Sequence, residues 1–199
     1  MTIFQLLMLG ASAYFAFKIY EHIYTLQDNP SKESSNDVKT KEAFSPFSPE
    51  ALVLKADTAV EDKEYKKAYA FLLEANAKEN HNEEILFKLG YVLEKLEEDD
   101  EALIQLKHSL EVQKDNPFTH NLMATIYKRK GEYTSAKLHL NASLEIDEHN
   151  PVTYFNYGNL LVEMGHNEEA ITMYEKAFQL DNDFLQAKTE LELLKAKHG

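Results

Sequence analysis

The chain has 199 residues, 44% of them hydrophobic, no cysteine, and a formal net charge of −13 at pH 7. The missing cysteine removes disulfides, thiolate metal sites and cysteine nucleophiles, and the acidic balance opposes nucleic-acid binding over most of the surface. None of the eight histidines lies three or four residues from another, so a helical HExxH zinc site is excluded and neither a metal nor a cofactor is expected.

The first element is MTIFQLLMLGASAYFAF, Met1 to Phe17, which carries no charged side chain. At about 1.5 Å per residue it is at the short end of a bilayer-spanning helix. Snorkelling of Lys18 toward the headgroups adds Ile19 and Tyr20 to the span. Tyr14, Phe15, Phe17, Tyr20 and Tyr24 crowd its C-terminal half, as aromatic residues do near a membrane interface. A transmembrane anchor helix is therefore expected over residues 1–26, with Ser12 and Ala16 forming one small-xxx-small pair. The competing reading is a cleaved signal peptide ending at Ala11-Ser12-Ala13, but no Lys or Arg precedes the apolar stretch. A core helix of the soluble domain is a third reading, and the polar linker that follows fits it badly. Lys18, Lys32, Lys39 and Lys41 all follow the apolar stretch, so the positive-inside rule puts the large domain in the cytoplasm. The expected location is the inner (cytoplasmic) membrane, single-pass, with a periplasmic repeat domain as the alternative.

Residues 27–48, QDNPSKESSNDVKTKEAFSPFS, are rich in Ser, Lys, Asp and Pro and read as a flexible linker. Phe44 and Phe47 stand out there, either packed against the first folded unit or forming a short docking motif. Beyond the linker a period appears. Ser48-Pro49, Asn82-Glu83, Asn116-Pro117 and Asn150-Pro151 are spaced 34 residues apart. Ser or Asn caps free amides and proline suits the first helical position, so these are four helix starts. Four starts at one interval mean four copies of one unit, over 49–82, 83–116, 117–150 and 151–184. The eighth position is always small (Ala56, Gly90, Ala124, Gly158), as are the twentieth (Ala68, Ala102, Ala136, Ala170) and the twenty-seventh (Ala75, Ser109, Ser143, Ala177). The twenty-fourth is large: Leu72, Leu106, Leu140 and Tyr174. Such columns let two antiparallel helices approach closely while the large residues fill the space between them. Gly131 and Gly165 fall where a first helix must stop.

This pattern resembles the tetratricopeptide repeat family, most clearly from Pro151 to Asp183, where Tyr154, Gly158, Leu161, Gly165, Ala170, Tyr174 and Ala177 stand on its key columns. The first copy departs most, with Lys55 and Ala59 where large apolar residues are usual. The resemblance implies an all-α fold: a right-handed α-solenoid of four helix-turn-helix repeats over 49–199, with a capping helix over 185–198 that buries Phe184, Leu191 and Leu194. It also implies a concave groove with contacts at the second, fifth, ninth, twelfth and thirteenth positions. These are Glu84, Phe87, Tyr91, Glu94 and Lys95; then Phe118, Asn121, Thr125, Lys128 and Arg129; then Val152, Phe155, Asn159, Val162 and Glu163.

From that set the expected peptide-binding groove is Phe87, Tyr91, Phe118, Asn121, Thr125, Lys128, Arg129, Phe155 and Asn159. Asn121 and Asn159 would hydrogen-bond an extended peptide backbone, the aromatic residues would supply apolar contact, and Arg129 would grip a carboxylate. The competing reading packs Phe87 and Phe155 between repeats and pairs Arg129 with Glu163 or with a glutamate of the second copy. No nucleophile constellation or phosphate loop is present, so no catalysis is expected. The expected function is a membrane-anchored interaction scaffold holding a peptide or helix of a partner protein, in layout similar to small bacterial adaptors for envelope assembly or quality control. The alternative is a self-assembling structural membrane protein, a homo-oligomer without groove function.

Overall fold

The computed structural model describes residues 46–198. The expected anchor over 1–26 and the linker as far as Ser45 lie outside the described residues, and Phe44 with them. Among the described residues no helix is long and apolar enough to cross a membrane. Nine helices and no strands are found there: α1 Pro49–Glu61, α2 Tyr65–Lys78, α3 Glu83–Lys95, α4 Asp99–Val112, α5 Pro117–Arg129, α6 Tyr133–Ile146, α7 Pro151–Glu163, α8 Asn167–Leu180 and α9 Leu185–His198.

Each first helix begins as its cap dictates. Ser48 Oγ accepts from the Ala51 amide at 3.2 Å and Asn82 Oδ1 from the Ile85 amide at 3.2 Å. Asn116 Oδ1 takes two amides, Phe118 at 2.9 Å and Thr119 at 3.1 Å, and Asn150 does the same for Val152 and Thr153. Each first helix also ends in one way. The fifteenth position of every repeat is left-handed: Lys63 (φ 59°), Glu97 (φ 62°), Gly131 (φ 75°) and Gly165 (φ 81°). The amide after it reaches back five residues, from Glu64, Glu98, Glu132 and His166 to the carbonyls of Ala59, Leu93, Tyr127 and Leu161. This is the Schellman stop. A Cβ at Gly131 or Gly165 would meet nothing within 4 Å, so the demand for glycine is conformational alone. Lys63→Gly and Glu97→Gly should therefore each stabilise the domain by about 0.5–1 kcal/mol. Thermal melts check this, and a fall in midpoint would refute it.

Within a pair the small and large columns meet as expected. Ala68, Ala102, Ala136 and Ala170 are fully buried, as are Leu72 and Leu106, with Leu140 and Tyr174 nearly so. Between pairs, one contact column changes character along the chain. Ser109 Oγ lies 3.4 Å from Thr119 Oγ1, and one repeat on Ser143 Oγ lies 2.9 Å from Thr153 Oγ1. The corresponding positions toward the two ends are apolar, Ala75 with Ile85 and Ala177 with Ala187, all buried. Buried hydroxyls must find partners, so the two central pairs fix the stacking register where an all-apolar interface would tolerate slippage.

The flanks finish the core. Lys55, where the later repeats carry Leu89, Met123 and Tyr157, lays its ammonium 5.0 Å from the Phe47 ring centre and 5.9 Å from that of Phe71, and donates to the Pro46 carbonyl at 2.6 Å. The expected packing of Phe47 on the first repeat takes this form, with the ring still 58% exposed. At the other end α9 packs on α8 through buried Ala187 and Leu194, and the Phe184 ring lies tilted 5.0 Å from that of Phe155. Glu192 occupies the small-residue column of α9 and is exposed.

Candidate functional site

The expected contacts all lie on first helices, α3, α5 and α7. Phe87 and Tyr91 of α3 line a pocket of about 330 Å³, closed by Ala56 and Val60 from α1 and Leu72 from α2. The Lys88–Asp57 ion pair stands at its edge, and the Lys95 ammonium sits 5.1 Å from the Tyr91 ring centre. α3 packs on α5 and α5 on α7, whereas α1 and α3 stay farther apart and leave this pocket between them. A smaller hollow of about 50 Å³ between α5 and α7 is lined by Thr125, Lys128, Asn156 and Asn159. Phe118, at the start of α5, is 58% exposed. Phe87, Tyr91, Phe118, Thr125, Lys128 and Asn159 thus remain reachable. Thr125 and Asn159 are partly occupied, since the Thr125 hydroxyl donates to the Asn121 carbonyl and Asn159 Oδ1 accepts from the Tyr174 hydroxyl at 2.8 Å.

The other three expected contacts are turned to internal use. Asn121 is only 5% exposed; its Nδ2 donates to Ser143 Oγ at 3.0 Å and Thr153 Oγ1 at 2.7 Å, and its Oδ1 accepts from Asn156 at 3.3 Å. Both amide protons are therefore consumed in the interface between the third and fourth repeats, and none is left for a peptide backbone. Arg129 is likewise committed. Its Nη1 donates to Glu94 Oε1 at 2.8 Å, Nη2 to the Glu94 carbonyl at 3.3 Å, and Nε to Asp99 Oδ2 at 3.0 Å, with Nη2 also on Asp99 Oδ1. The Asp99 hydrogen bonds, and after them those of Glu94, hold its charge more firmly than in water. The partner is thus a glutamate of the second copy, not Glu163. Phe155 packs between the rings of Tyr174, at 5.7 Å, and Phe184. Lys130 donates to Asp100 at 2.6 Å, so it joins Arg129 in binding the third repeat to the second.

Helix pairs of one length, uniform caps and stops, and a pocketed first-helix face are the frame for comparison with known proteins. The profile of the family described as Tetratricopeptide Repeats-Sensor matches residues 64–187. The chain belongs to the tetratricopeptide repeat family. A TPR repeat-containing protein of Methanocaldococcus jannaschii is 30% identical over 130 residues, 65% of this chain and 23% of that one, so the chain spans about a quarter of that relative's length. Among solved structures it is similar to YrrB, a TPR protein with an unusual peptide-binding site (TM-score 0.62, 21% identity, covering 79% of this chain and 84% of that one). It is also similar to MamA from Desulfovibrio magneticus (TM-score 0.63, 16% identity, covering 75% and 85%). A third is the first TPR of Spaghetti, bound to the HSP90 peptide SRMEEVD (TM-score 0.54, 21% identity, covering 58% and 91%). At these identities the likeness carries the fold.

The TPR stack also joins two histidines that no helical spacing pairs. His120 of α5 and His139 of α6 face each other across one helix pair, with their Nδ1 atoms 2.9 Å apart and the Tyr127 ring stacked 5.4 Å from that of His139. They sit at the fourth and twenty-third positions of one repeat, which meet only once the pair has folded. Among the described residues no third His, Asp or Glu joins them in a cluster able to hold a metal. Burial first, then His120 and Lys107, pushes the His139 pKa down to about 4, and burial lowers that of His120 as well. Between pH 6.5 and 4 the unfolded chain therefore binds more protons than the native one, and stability falls as the solution is acidified through that window. Midpoint temperatures measured from pH 7.5 to 4.5 should decline, and His139→Gln should flatten part of the decline. An unchanged slope in the variant would show that the pair does not carry the effect.

Proposed function

We propose that this protein is a membrane-tethered TPR adaptor that holds a segment of a partner protein along the face of its first helices. The observation that carries the reading is the open, largely apolar pocket between α1 and α3, with the exposed Phe118 and the polar hollow at Lys128 and Asn159 also on first helices. An apolar pocket edged by a few polar groups is how peptide-recognition surfaces obtain affinity and orientation together. YrrB and the Spaghetti TPR, which share the fold, are described by their peptide-binding site and their bound peptide. The uncharged stretch from Met1 to Phe17 supports a tether, and the lysines after it support a repeat domain on the cytoplasmic side. Tethering would raise the effective concentration of a membrane partner without new contacts. An envelope complex is the class of partner such a layout serves. No step of this role needs a catalytic residue.

The test is affinity capture from membranes with the wild-type chain and a Tyr91→Ala/Phe118→Ala/Lys128→Ala variant, all three positions being at least partly exposed. The variant should lose the partners that the wild type recovers. Identical recovery would move binding to another surface. Deleting residues 1–26 should release the chain from the membrane fraction, and repeats digested by protease added outside sealed cells would reverse the orientation.

A further inference from the structure

The pocket beside Tyr91 is one of two hollows in the cleft between α1 and α3, and Asp57 borders both. The second, of about 270 Å³, has an apolar floor that includes Val53 and Ile85, and its rim carries the carboxylates Glu50, Asp57, Glu79 and Glu84. Among the described residues one cation answers those four acids. Lys88 pairs with Asp57 and lies 3.5 Å from Glu84. One interface along, at the C-terminal ends of α3 and α5, the Arg129 guanidinium pairs with Glu94 and Asp99. The α1–α3 cleft is therefore both open and acidic.

We infer that the α1–α3 cleft selects a basic, hydrophobic segment of a partner protein, seating an apolar side chain beside Tyr91 and Phe87 and a Lys or Arg among Glu50, Glu79 and Glu84. The inference rests on the proposed reading of the first-helix face as a binding surface and adds the chemistry of what binds. Charge complementarity decides the class. The whole chain carries a net charge of −13, and this rim adds carboxylates faster than it adds cations, so a basic segment is drawn in and an acidic one repelled. The acidic peptide SRMEEVD on the Spaghetti TPR is thus the opposite of what this cleft accepts. Spacing follows from α1. From Leu54 at one hollow to Val60 at the other is six residues of helix, roughly 9 Å, which an extended segment crosses in about three residues.

The experiment titrates the full-length chain in detergent with fluorescein-labelled peptides, one Arg and one Phe set about two to four residues apart in a Gly-Ser background. Matched peptides carry Glu in place of Arg, or Ser in place of Phe. The Arg/Phe peptide should bind about tenfold or more tightly than either control, and its affinity should drop with added salt. Glu79→Lys/Glu84→Lys, both exposed, should weaken it by about tenfold and improve binding of the Glu/Phe peptide. Tyr91→Ala should weaken every Phe-bearing peptide. Equal or tighter binding of the Glu/Phe peptide, still lost in Tyr91→Ala, overturns the basic class while leaving the face as the binding surface. Peptide binding that ignores both variants overturns the cleft as the site. If no peptide binds, the inference fails, and membrane capture with the triple variant then decides separately whether the face binds a partner at all.

Discussion

Gly158→Ala should destabilise the repeat domain by roughly 1–3 kcal/mol, more than the same change at Gly90. The two glycines occupy one column and face the same partner position, yet their neighbours differ. A Cβ on Gly158 would fall 2.5 Å from Cε1 of the Tyr174 ring, 2.6 Å from Cδ1 and 3.0 Å from Cζ. A Cβ on Gly90 would meet Cγ and Cδ2 of Leu106, both at 2.5 Å. A leucine in this column can swing its whole side chain aside, since Leu140 packs with Ala124 in the third repeat. The Tyr174 ring cannot, because it is 2% exposed, tilted against Phe155 and tied through its hydroxyl to Asn159. The third repeat shows the compatible alternative, Ala124 opposite Leu140. Gly158→Ala/Tyr174→Leu reproduces that pair and should recover about 1–2 kcal/mol relative to the sum of the single changes. Tyr174→Leu alone leaves a void and frees Asn159 Oδ1, so it too is destabilising. Urea unfolding of the four proteins measures the coupling, and strictly additive single effects would show that the glycine is not there for the ring.

That pair also shows what could be read in the sequence. A small residue at the eighth position and a large one at the twenty-fourth are properties of one helix pair, repeated four times, and the repetition makes them visible. The helix starts at Ser48, Asn82, Asn116 and Asn150 were legible for the same reason, since capping is local. The left-handed stop was legible only where glycine marks it, at Gly131 and Gly165. Lys63 and Glu97 take the same backbone conformation without announcing it. The site was less legible, because a position in a repeat names a face and not the fate of a side chain there. Asn121 occupies the same position as Phe87 and Phe155, and whether it points outward depends on Ser143 and Thr153, which come from two other helices. The cleft between α1 and α3 is not legible in contacts that begin with the second copy, because most of its lining comes from the first. The departure of that copy from the family columns was the available signal.

Arg129→Ala should cost about 2–3 kcal/mol, through the carboxylate it leaves behind more than through the contacts it loses. Glu94 has a side chain only 7% exposed, with Arg129 Nη1 on one oxygen and the Lys95 ammonium 3.0 Å from the other. The Lys95 contact is an ion pair without hydrogen-bond geometry, so removing Arg129 strands a nearly buried charge that has lost its one hydrogen-bonding cation. Breaking such a pair from one side is the costly direction. The Arg129 side chain is 37% exposed, which places the loss at the low end of the range for buried pairs. Arg129→Lys should recover little, because one ammonium cannot serve Glu94 and Asp99 at once as the planar guanidinium does. Glu94→Gln in the Arg129→Ala background should recover most of the loss, since a neutral amide needs no counter-charge. Chemical denaturation of the set measures this, and a double variant no more stable than Arg129→Ala would mean that the stranded charge is not the cause. The rescued protein also separates the two roles open to Arg129. With the stack restored and the guanidinium absent, partner capture should match wild type if Arg129 joins repeats. It should fail if Arg129 grips the ligand.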